Sequence, residues 1–287
     1  MLSFNEYLDK LSIIKILSFF LLIMLVLTLI PLLFNFYMGN LLFKLFLYGI
    51  MLIFFAYKLN EVIFIESDDE DSLGAVLKRN YDSIFDVSNI YQISFIVIAN
   101  ILFVSAIFFV LTYLSSISLI QFDSHLFGDF SALDFDVLLI YFLTVVILSP
   151  IIEELLFRGV FLRRFYQEFS YSRSKSFLSS NALTLSILIS SILFGFCHGF
   201  GGILGAILFG ICVSILYIKS KNILVPIFAH FLNNLISFIL ALSGLEYFIY
   251  NNQVVIFLII ILAIISNIVL FRAIFKEWPR VLIKLLK

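Results

Sequence analysis

Pro150-Ile-Ile-Glu153-Glu154-Leu-Leu-Phe-Arg158-Gly159 sets two adjacent acids and an arginine inside a long apolar stretch. Its flank from Val137 to Leu148 reads as ordinary membrane helix; the charges do not. Each ionised group at the centre of such a helix costs roughly 2.5–3.5 kcal/mol, and three of them, deep and unpaired, about 8 kcal/mol. Function or tight pairing must offset that cost. Glu154 and Arg158 stand four residues apart on one helix face and can pair, whereas Glu153 is turned about 100° away. One acid is thus held by the arginine and the other is free to face a cavity. Pro150 removes a backbone hydrogen bond just before them and should kink the helix.

Outward from this stretch the whole chain is apolar. Of 287 residues, 63% are hydrophobic and 13% charged, with a mean hydropathy of +1.16. Repeated apolar runs of about 20 residues define an all-α, polytopic membrane helix bundle. We read eight spans, approximately Ile13–Phe34, Leu41–Leu59, Tyr91–Ser116, Val137–Phe165, Ser179–Gly199, Gly201–Tyr217, Leu224–Leu242 and Val254–Phe271. The first is too long in its apolar core for a cleaved signal peptide, and no small-x-small cleavage site follows it. With these spans, seventeen of the eighteen Lys and Arg residues fall on one side of the membrane and only Lys44 on the other. The positive-inside rule then puts both termini in the cytoplasm. The organisation expected is residues 1–136 as three N-terminal spans with an acidic cytoplasmic loop and an outer loop, 137–272 as a catalytic core, and 273–287 as a basic C-terminal tail.

Several features read as structural. The acidic run Glu66–Asp71 is a solvated loop rather than a cation site. The outer segment 117–136, with His125 and four aspartates, is interfacial, and Trp278 anchors the C-terminus at the bilayer surface. Cys197 and Cys212 lie in apolar segments, where thiols act as small apolar side chains. Gly195/Gly199, Gly201/Gly205 and Ala206/Gly210 repeat at the spacing that lets helix backbones approach in lipid. The net charge of −1 gives no footing for a nucleic-acid partner.

Two more polar sets sit at membrane depth: Phe194-Gly-Phe-Cys-His198 and His230-Phe-Leu-Asn-Asn234. Intramembrane ionisable groups are functional by default, although an Asn or His can simply bond across helices. Together the sets supply a carboxylate to take a proton from water, a histidine to share or orient it, and an imidazole and a carboxamide to stabilise an oxyanion. Such a kit hydrolyses an amide without a covalent intermediate. Glu153, His198 and His230 could equally ligate Zn²⁺ with a position left for water. The residues alone do not choose between the two. Counted along the helices, His198 lies deeper than Glu153 and His230, so its helix must tilt or start deep, with the turn at 199–202 buried in protein.

The three motifs, in this order, resemble the CAAX-type prenyl endopeptidase family of intramembrane proteases, also called the Abi or CPBP family. Its Glu-Glu-x-x-x-Arg, Phe-x-x-x-His and His-x-x-x-Asn motifs correspond to Glu153/Glu154/Arg158, Phe194/His198 and His230/Asn234, and the resemblance runs from Leu138 to Phe238. The first three spans carry no motif of it. The resemblance implies Glu153 as the water-activating acid beside His198, His230 and Asn234 as oxyanion stabilisers, and Glu154 with Arg158 as the supporting pair. The family is commonly classed as metalloprotease, and a metal-free glutamate-activated water is also argued for it. The implied activity is endopeptidase cleavage, near the cytoplasmic side, of a membrane-associated peptide or a prenylated C-terminus. A proton-coupled transporter and a non-catalytic scaffold of the same fold are the competing readings. The expected setting is the plasma membrane of a bacterium, with the lipid bilayer as partner.

Overall fold

The structure is a computed structural model that describes residues 12–15, 17, 18, 20–22, 25, 26, 41–53, 73–121, 130, 133–170 and 181–285. The acidic run 66–71 and His125 lie outside them, as does the side chain of Trp278. All regular structure among the described residues is helical. In chain order the helices are α1 (Leu41–Ile53), α2 (Leu73–Ile84), α3 (Val87–Ser116), α4 (Phe135–Ser170), α5 (Ala182–Phe196), α6 (Ile203–Ser220), α7 (Leu224–Leu242), α8 (Leu245–Tyr250) and α9 (Gln253–Leu285). Among the described residues, α3, α4, α6, α7 and α9 are long and apolar enough to cross a bilayer. The chain is an integral membrane protein. Their outer faces carry exposed Leu, Ile, Val and Phe, as lipid contact requires.

The expected boundaries hold at α7 and shift elsewhere. α3 begins at Val87 because Asp86 caps it, its carboxylate accepting from Ser88 N–H. α9 runs on past Phe271 to Leu285 without a break. α5 is the shortest of the core helices, 15 residues ending at Phe196. That is about 22 Å of helix, less than the roughly 30 Å hydrocarbon thickness. The turn after it was expected to be buried, but Gly199 and Phe200 are exposed.

The centre of α4 is not a plain kinked helix. It is continuous from Phe135 to Ser170 but winds into π turns over Phe142–Leu148 and Leu155–Leu162, on either side of the Ser149–Glu154 segment. The first follows from Pro150. Ser149 N–H bonds back to Thr144 O in the π register. The next carbonyl, Val145 O, would take its bond from residue 150, which has no N–H. Asn234 Nδ2 donates to that carbonyl instead, across 2.9 Å. The proline thus creates a vacant acceptor that α7 fills.

In lipid, helices associate by close fit rather than by hydrophobic burial. A Cβ at Gly195 would overlap the Ile207 side chain, and one at Gly205 the Val104 side chain, so α5, α6 and α3 meet at glycines. Around Gly199, by contrast, the space is open. At Gly210 a Cβ would stand 3.1 Å from Ser191 Cβ and 3.2 Å from Arg158 Nη2. Gly210→Ala should therefore press α5 from α6 and push on the arginine, costing about 1–3 kcal/mol. Thermal unfolding in detergent checks this, with Gly199→Ala as the variant expected to change nothing.

Candidate active site

The turn from Ser149 to Glu154 delivers the two acids in different directions, and each meets its own partners. Glu154 is fully buried, as is Arg158. Arg158 Nη1 donates to Glu154 Oε1 at 3.0 Å, Nη2 donates to Gly210 O at 3.0 Å, and the guanidinium lies 4.7 Å over the Phe194 ring. His230 Nδ1 stands 2.9 Å from the same Glu154 oxygen. A carboxylate beside a guanidinium only accepts, so His230 Nδ1 carries a proton and donates it. This leaves Nε2 as the ring's second nitrogen. The supporting pair is thus a triad, in which Glu154 orients His230 as well as neutralising Arg158.

Glu153 is partly buried and differently held. Ser149 Oγ, four residues back, donates to Oε1, and the Tyr48 hydroxyl of α1 donates to the same oxygen at 3.3 Å. Oε2 is buried and has no hydrogen-bond partner among the described residues. One oxygen is anchored and the other remains to take a proton. Both imidazoles, His198 and His230, and the ammonium of Lys44 lie within electrostatic reach of the carboxyl.

His198 stands just past α5, with Nδ1 2.9 Å from Phe194 O. A carbonyl only accepts, so Nδ1 donates and Nε2 is left over. The Phe194 ring packs between the two imidazoles, at 4.7 Å from His198 and 5.6 Å from His230. Both histidines line one cavity of about 250 Å³, together with Asn100, Asn233, Asn234 and Ser237. Glu153 lies outside this wall. The amides form a directed chain: Asn100 Nδ2 donates to Asn233 Oδ1 at 3.0 Å, Asn233 Nδ2 to Asn234 Oδ1 at 3.3 Å, and Asn234 Nδ2 to Val145 O. One Nδ2 hydrogen of Asn234 is in use and the second is left.

All six residues singled out in the sequence therefore meet across α4, α5 and α7. Four more join them: Tyr48, Ser149, Asn100 and Asn233. Ser149 could have been found from its i, i+4 spacing to Glu153, and Asn100 as a lone amide in an apolar span. Tyr48 left no such signal. The zinc alternative fits the site poorly. Among the described residues no group of three or more His, Cys, Asp or Glu is arranged to hold a metal. His198 and His230 also have their Nδ1 atoms committed elsewhere.

Residues 135–236 match the family model described as Rce1-like, type II CAAX prenyl endopeptidase. No curated protein and no solved structure matches the chain.

Proposed function

We propose, on the premise that residues 135–236 belong to the Rce1-like family of type II CAAX prenyl endopeptidases, that this chain hydrolyses a peptide bond inside the membrane with a water activated by Glu153. The observation that carries the reading is the unequal treatment of the two acids. Glu154 is saturated by Arg158 and His230, while Glu153 keeps Oε2 without a partner beside two imidazoles.

The steps balance as follows. Water held between Glu153 Oε2 and the His198 ring gives a proton to Oε2 as its oxygen attacks the scissile carbonyl. The oxyanion accepts hydrogen bonds from the remaining Asn234 Nδ2 hydrogen and from His230 Nε2 in its protonated form, which Glu154 stabilises. Collapse breaks the C–N bond, and Glu153 returns the proton to the leaving amine. The products are a carboxylate and an amine, with no covalent intermediate. The substrate is a membrane-associated peptide or protein segment, prenylated or not.

The test is cleavage by the purified protein in liposomes carrying candidate membrane peptides. His198→Ala should lower kcat by about 10²–10³ if the ring orients the water, with KM little changed. Activity should persist in chelator. Loss of activity in chelator, restored by zinc, would replace this mechanism with a metal-dependent one. Undiminished cleavage in His198→Ala would remove that residue from the chemistry. A transporter using the same groups would cleave nothing and would carry solute in sealed vesicles.

A further inference from the structure

We infer that the active-site cavity opens toward the non-cytoplasmic half of the membrane, so that the scissile segment enters from the outer side; this rests on the peptidase reading for its substrate but not for its geometry. The basic residues set the direction. Arg163 and Arg164 follow the second π turn of α4, and Lys219 and Lys221 end α6, so these ends lie in the cytoplasm. Measured from Leu224 at the matching end of α7, His230 is about 9 Å deep, Asn234 about 15 Å and Phe238 about 21 Å. On α6, read back from Ser220, Phe209 is about 16 Å deep and Gly202 about 27 Å. On α3, from Val87, Asn100 is about 20 Å deep and Val104 about 25 Å. Every one of these side chains lines the cavity. His230 is its shallowest member, and the rest extends through the midplane into the outer half of a roughly 30 Å core.

The cytoplasmic approach is closed. Between the acids and Arg163 the chain places Leu155, Phe157, Arg158 and Phe161, none more than 2% exposed. Phe157 meets Phe161 at 5.5 Å and Phe194 at 5.2 Å, edge to face. At the opposite end the cavity is rimmed by half-buried Tyr141 and Phe238, stacked at 5.9 Å, with Phe130 of the outer segment against both. Lys44 belongs to the same side. It is the one cation that the span order puts outside, one turn nearer the outer end of α1 than Tyr48, and it is within electrostatic reach of Glu153 and His198. The occupant this fits is an extended peptide segment held in or emerging from the outer leaflet, whose apolar side chains meet the aromatic rim. The tail of a soluble cytoplasmic chain would have to cross the packed phenylalanines.

Thiol accessibility in sealed vesicles tests the orientation without needing activity. In a Cys197→Ala/Cys212→Ala background, Val104→Cys and Ser237→Cys report from two walls of the cavity, and Lys221→Cys reports from the turn after α6. A charged, bilayer-impermeant methanethiosulfonate should modify the two cavity cysteines in right-side-out vesicles, with loss of that labelling in inside-out vesicles. Lys221→Cys should behave in the reverse sense. Labelling of the cavity from the inner face only, or from neither face, overturns the inference, as does labelling of Lys221→Cys from outside. Either cavity variant suffices if the other fails to fold. If cavity labelling comes from outside while no peptide is ever cut, the peptidase reading fails and the orientation stands.

Discussion

Replacing Glu153 by Gln is expected to abolish peptide cleavage, lowering kcat by about 10²–10⁴ while KM stays near its wild-type value. The amide is isosteric, and its oxygen can still accept from Ser149 and Tyr48, so the side chain stays in place. What is lost is the proton acceptor: the NH₂ at the Oε2 position can only donate. The substitution thus removes chemistry rather than structure, and unfolding midpoints in detergent should match wild type. Single-turnover cleavage of a membrane peptide, read by mass spectrometry, measures the effect. Full activity in this variant would exclude Glu153 as the base.

Arg158→Ala should be the most destabilising single change, at about 3–5 kcal/mol. The guanidinium and Glu154 are both fully buried, and truncation leaves the carboxylate without its countercharge and Gly210 O without its donor. Lys at this position should recover little, because a single ammonium cannot reproduce the fork that reaches Glu154 and Gly210 at once. Glu154→Gln combined with Arg158→Met should be less harmful than Arg158→Ala alone, since the double change leaves no uncompensated charge. Thermal unfolding of the purified proteins gives the ranking. A double variant as unstable as the sum of its singles would show that the two residues do not act as a pair.

The order of helices and the six polar residues were readable because each breaks a simple local pattern: a charge in an apolar run, or a histidine and amide at one-turn spacing. The pairing of Glu154 with Arg158 followed from spacing alone. The part of His230 in that cluster did not, because it depends on how closely α7 approaches α4. Tyr48 and Asn100 were out of reach for the same reason. They come from the first three spans, where no motif stood out, and Tyr48 meets Glu153 across 105 positions of chain. Pro150 announced a disturbance of the helix, yet its form, wide turns rather than a bend, depends on a donor from another helix. The direction in which the cavity opens needed both kinds of information. Charges supply the sidedness, and only packed side chains reveal which end is stoppered.

The wide turns of α4 also make the protein intolerant of changes in length. A π turn fits one more residue into nearly the same rise than an α turn does. Deleting any single residue between 142 and 148 would let the helix relax to ordinary winding and rotate everything beyond it by about 100°. Glu153 would leave Tyr48, Arg158 would leave the Gly210 carbonyl, and Val145 would no longer offer its oxygen to Asn234. In that segment the number of residues matters more than their identity, so a conservative substitution should be far safer there than an in-frame loss of one codon.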